Sequence, residues 1–127
     1  DDRIECNRLR LDLALTKWKR GCFKDALSIL ETAMIDNANP DDTLLNCRLK
    51  LITGDTSFAM GNNGDAIKQW KSAAELAERE MYPLERCAAL IRIASAEKSS
   101  MKDEYLLRVQ SILHRLDLEE LCLDRII

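Results

Sequence analysis

Self-similarity at a period of forty residues constrains this chain more than any other feature. Gly21 and Gly61 lie one period apart, and the residues around them match in register. Small or apolar residues align at Leu11/Leu51, Ala14/Gly54, Trp18/Phe58, Ala26/Ala66, Leu27/Ile67 and Ala33/Ala73. A fixed period of this size marks a chain built from stacked supersecondary units rather than around one central active site, which points to a binding scaffold. A third copy is weaker, with Ile91, Ala94, Met101, Leu107 and Leu113 in the matching places. Its small residues grow larger, as suits a terminal unit with no further neighbour to receive.

Helical spacing runs through every periodic segment, so the expected fold is all-α. Six helices and a tail can be drawn. The first spans about 2–20 and is ended by Gly21; the second spans about 23–35, with Phe23, Ala26, Leu27, Leu30, Ala33 and Met34 on one face. A turn over 36–42 follows, in which Asp41 or Asp42 can cap the third helix, about 43–60. Gly54 in the middle of that helix costs about 1 kcal/mol relative to Ala, so a close helix crossing is expected there. Gly61 to Gly64 form the next turn, and Asp65 is expected to cap a fourth helix running to about residue 80 with Ala66, Ile67, Trp70, Ala73, Ala74 and Ala77 inward. Pro83 opens the fifth helix, where its missing N–H is harmless; the fifth spans about 83–98 and the sixth about 102–116. Leu118, Leu121, Cys122 and Ile126 fall on one stripe, which predicts a seventh helix over 117–127.

Several classes of function are disfavoured by composition. The net charge of −3 is small and both signs are interspersed, whereas a phosphate-gripping protein normally carries a basic surplus; nucleic acid is therefore a weak expectation. No run is long enough to cross a bilayer, and none resembles a signal peptide. The five cysteines, Cys6, Cys22, Cys47, Cys87 and Cys122, are widely spaced without a CxxC pair. They read as free thiols in a reducing, intracellular and cytoplasmic setting, with Cys6 and Cys22 the more exposed, and no metal or other cofactor is expected. The single histidine, His114, stands alone on an amphipathic helix, and no HExxH, GxSxG or phosphate loop occurs. No catalytic residue is nominated, and the chain is not expected to be an enzyme.

Leu13-Ala14, then Gly21-x-Phe23-x-x-Ala26-Leu27-x-x-Leu30-x-x-Ala33, then Gly54 to Gly61 with Ala66-Ile67-x-x-Trp70-x-x-Ala73, resembles the tetratricopeptide repeat in a long, forty-residue variant. The resemblance implies a right-handed superhelical stack of helix-turn-helix pairs, about three repeats (2–40, 41–82 and 83–116) plus a C-terminal helix, in one domain. It implies a concave groove lined by the first helix of each pair. Arg8, Leu11, Leu15 and Trp18 would come from the first repeat, Arg48, Leu51, Asp55 and Phe58 from the second, and Ala88, Ile91, Ser95 and Lys98 from the third. The family's carboxylate-clamp activity is not implied, because Leu11 and Leu15 occupy the matching places.

The expected function is a scaffold that binds a protein partner, as a peptide or helix, in that groove, with Arg8 and Arg48 meeting carboxylates. One alternative is a structural slice of a larger solenoid or assembly that uses its end faces. The apolar ending Leu118, Leu121, Leu123, Ile126 and Ile127 favours this by suggesting a fragment of something larger, and self-association through the C-terminal helix stays open. A weaker alternative is a regulatory domain for a small ligand or nucleic acid.

Overall fold

The computed structural model describes residues 2–37, 42–97 and 101–116. They form six helices: α1 (Asp2–Lys19), α2 (Phe23–Asp36), α3 (Thr43–Ala59), α4 (Asn63–Arg79), α5 (Pro83–Ala96) and α6 (Met101–Arg115), and no strand occurs among the described residues. Each helix packs on the next, and α3 also touches α1 and α5. No described helix reaches one more than two places along the chain. The expected seventh helix and its self-association lie outside the described residues.

Three helices end in the same backbone motif. At the end of α1 the Cys22 N–H donates to the Lys17 carbonyl (2.9 Å) and the Gly21 N–H to Trp18 (3.0 Å); at the end of α3, Asn62 and Gly61 do the same to Ser57 (2.9 Å) and Phe58 (3.0 Å). This pattern closes a helix through a residue in the left-handed region, which glycine enters without steric cost, and Gly21 and Gly61 have φ of +79° and +85°. At the end of α4, Tyr82 donates to Ala77 (2.8 Å) and Met81 to Glu78 (3.4 Å). There the left-handed residue is Met81, at φ +60° and 83% exposed.

Starts differ from one helix to the next. Asp42 caps α3 by accepting the Leu45 N–H at 3.0 Å, and Pro83 occupies the first turn of α5. The expected cap at Asp65 is not formed. The cap position falls three residues earlier, at Asn62, and α4 begins at Asn63, so Asp65 lies inside the first turn, where its charge favours the helix dipole instead.

Interhelical packing divides into three clusters. Ala14, Leu30, Ala33, Leu45 and Leu49 join α1, α2 and α3; Leu51, Ala66, Trp70, Ala73, Ala77, Ala89 and Ile93 join α3, α4 and α5; Cys87, Leu90, Ile91, Val109, Ile112 and Leu113 join α5 and α6. The in-register residues Ala14, Gly54 and Ala94 are all buried, as are Ala26 and Ala66. Helix axes approach closely only where contact residues are small, and Gly54 is the tightest case. A Cβ built on it would lie 2.4 Å from Nε1 and 2.5 Å from Cδ1 of Trp70, whose ring fills the space. Among the described residues, no helix is long and apolar enough to cross a membrane.

Candidate functional site

The groove residues expected from the sequence fall into three groups. Arg8 and Leu11 of α1 and Arg48 of α3 come together in an open cleft of about 290 Å³, to which Asp12, Asp42 and Leu44 also contribute, with Leu45 at its base. Leu11 packs its inner side on the first core cluster while its edge reaches the cleft. Arg48 is exposed and, among the described residues, forms no ion pair.

Arg8 is less free. Its Nη2 donates to Oδ2 of Asp42 at 3.0 Å, and Asp42 in turn caps α3. The Leu45 N–H, the Arg8 guanidinium and the charge of Arg48 outweigh partial burial and hold the Asp42 carboxyl below its usual range. The first arginine of the expected charge stripe is thus spent on the junction between the first two helix pairs, and the second is left to face solvent.

A second group is committed to the interior, which corrects the expectation of groove exposure. Leu51 and Ile91 are 6% and 4% exposed and belong to core clusters, because the first helices of the second and third pairs are covered on more than one side. Asp55 is occupied: Arg92 donates from Nε to Oδ1 at 2.8 Å and from Nη2 to Oδ2 at 3.2 Å, while Trp70 Nε1 donates to Oδ1 at 3.1 Å and to the Leu51 carbonyl at 3.2 Å. Arg92 Nη1 also donates to the Ala88 carbonyl. This bidentate pair ties α3, α4 and α5 at one point. It fixes geometry rather than offering a carboxylate to a ligand.

The remaining positions are scattered. Leu15 and Ala88 are half-buried, and Ser95 is exposed with its hydroxyl donating to the Ile91 carbonyl. Trp18 is half-buried and meets Phe23 edge-on at 6.4 Å, so the α1–α2 turn claims it. Phe58 keeps 44% of its surface exposed while its ring tilts against Trp70 at 5.6 Å. Lys98 lies outside the described residues.

The thiols sort by depth. Cys6 and Cys22 are exposed, whereas Cys47 and Cys87 are buried. Burial pushes the Cys47 thiol up to about 11, and its Sγ donates to the Ala73 carbonyl at 3.5 Å; burial likewise raises Cys87. Both read as small apolar residues at a helix contact. His114 is exposed in the last turn of α6.

Two partners of the site went unnoticed in the sequence, Asp42 for Arg8 and Arg92 for Asp55. They lie 34 and 37 residues away, near one full period, and the period itself was the available signal. Compared with protein-family models, curated proteins and solved structures, the chain finds no match.

Proposed function

We propose that this chain is a helical-repeat module of the tetratricopeptide type, a right-handed stack of about three helix pairs, that binds a protein partner between its first helices. Two facts support the architecture. The forty-residue period coincides with the spacing of α1, α3 and α5, and α3 touches both of the other first helices. The observation that carries the functional reading is the α1–α3 cleft, with apolar walls from Leu11 and Leu44 and the exposed cation of Arg48 at its rim. A partner suited to it is a peptide or helix with an apolar side chain set next to a carboxylate. Leu11 and Leu44 would take the apolar group, and Arg48 the carboxylate in a charge-assisted pair. Asp12 across the cleft orients the peptide by repelling a second acid.

The test is capture of the partner from the native source, with identification by mass spectrometry, followed by titration against the wild-type chain and Arg48→Glu. Charge reversal at Arg48 should weaken binding at least about tenfold, or 1.4 kcal/mol, with a smaller effect on stability than at Arg8, because Arg48 is exposed and acts on Asp42 through its charge alone. Wild-type affinity in a folded Arg48→Glu protein would refute the cleft. The double change with Arg8→Glu is a poorer probe, since a glutamate there would face Asp42 and loosen the cap of α3.

A further inference from the structure

A groove of about 380 Å³ opens where three helix ends meet. Its apolar walls are Ala77 at the end of α4, Pro83 at the start of α5, and Ile112 and Leu116 at the end of α6, with Glu78, Arg86 and Arg115 along its rim. One pair earlier the corresponding place is taken. Thr43 opens α3 as Pro83 opens α5, and beside Thr43 lies Tyr82, three residues beyond the end of α4. The two hydroxyls share a hydrogen bond, and Tyr82 packs on the core cluster that holds Ala73, Leu76 and Ala77. The burial pattern of α6 follows that of α4 at a spacing of thirty-nine, so that Trp70, Ala73 and Ala77 correspond to Val109, Ile112 and Leu116. Val109 and Ile112 are buried like their counterparts, but Leu116 is 38% exposed where Ala77 is 1%. The same spacing carries Tyr82 to Leu121.

We propose that the segment 117–127 fills this groove in cis, with Leu121 in the place that Tyr82 takes one pair earlier. Reach is the same in both cases. Tyr82 stands five residues beyond Ala77, and Leu121 five beyond Leu116. Because the segment leaves directly from a residue of the groove wall, the loop to be closed is short and its closure entropy small. Charge favours the same occupant. The segment carries Asp117, Glu119, Glu120 and Asp124 against Arg125 alone. On the rim Glu78 pairs with Arg86 at 3.8 Å, while Arg115 is exposed and forms no ion pair among the described residues. An acidic segment therefore meets a rim with one cation to spare. A groove occupied in this way is closed to a second copy of the chain, so this end of the stack does not serve as an assembly face.

Methyl NMR on the full 127-residue chain decides it. Overhauser contacts from the Leu121 methyls to Ile112 and Pro83 are expected, unchanged on dilution, and in a mixture of labelled and unlabelled chains they should stay within the labelled ones. Leu121→Asp and, from the groove side, Leu116→Asp should each remove them and speed amide exchange across 111–115 at least about tenfold, with helical circular dichroism kept. Leu123→Asp lies off the stripe of Leu118, Leu121, Cys122 and Ile126 and should leave both readouts unchanged. Absence of contact between Leu121 and the groove would overturn the proposal. So would contacts that pass between chains, which give the groove to a second copy, or a Leu123→Asp chain that behaves like Leu121→Asp.

Discussion

Replacing Gly54 by Ala gives a result whose sign helix propensity gets wrong. In an exposed helix interior this change stabilises by about 1 kcal/mol. Here the new methyl would fall 2.4 Å from Trp70 Nε1, 2.5 Å from Cδ1 and 3.0 Å from Cε2, all atoms of a rigid ring that is itself 3% exposed. Nothing at the contact is the loose end of a flexible chain, so the indole or the whole of α4 must move. Overpacking of this kind costs about 1–3 kcal/mol. Moving the ring also pulls Nε1 from the Leu51 carbonyl and the Asp55 carboxylate, and an unsatisfied buried donor adds about 1–3 kcal/mol. Net of propensity, the loss should be roughly 2–4 kcal/mol, read as a lower midpoint in urea melts followed by circular dichroism. The same substitution made in a Trp70→Leu background should lose most of its cost, since the clashing ring is gone, and the cycle isolates the contact. A neutral or stabilising Gly54→Ala, or an equal cost with and without the indole, would refute the close crossing of α3 and α4.

Two further outcomes follow from the caps. Met81→Gly should stabilise by about 1 kcal/mol, because it relieves a left-handed backbone while giving up a side chain that is already in solvent; a thermal melt with no upward shift would count against the strain. Asp42→Ala should cost about 1 kcal/mol at pH 7, and the deficit should shrink as the pH falls. A carboxyl whose folded pKa is depressed contributes stability above its unfolded value of 3.8 and loses it as the pH drops through the folded value. A deficit equally large at pH 7 and at pH 2 would show that the charge plays no part.

Much of the helical layout was legible because it is local. The last residues of all six helices, and the first residues of all but α4, lie within two residues of the expected positions, since Gly21, Gly61 and Pro83 act on their own backbone. The close contact at Gly54 and the burial of Trp70 were legible too, because a glycine in a helix interior and an aromatic on the apolar face of α4 each carry their reason with them. The groove was only half legible. Leu11 and Leu51 share a register, yet one edges the cleft and the other is enclosed, because exposure depends on how many neighbours a pair has and not on the pattern within one helix. Asn7 shows the same limit. It stands in register with Cys47 and Cys87 and is fully buried like them, but as an amide whose oxygen accepts from Arg10.

Two of the ion pairs between helix pairs differ in kind, and the difference bears on how each junction responds to salt. The second and third pairs are locked by the Asp55–Arg92 fork, with both side chains under a fifth exposed and an indole N–H added. The ion pair between the first pair and the second is Arg8–Asp42, in which the arginine is 59% exposed. Salt screens the outer tie more than the inner one. Raised salt therefore weakens the polar tie of the first pair more than that between the second and third, and leaves the first pair to be held by the apolar cluster that α1, α2 and α3 share.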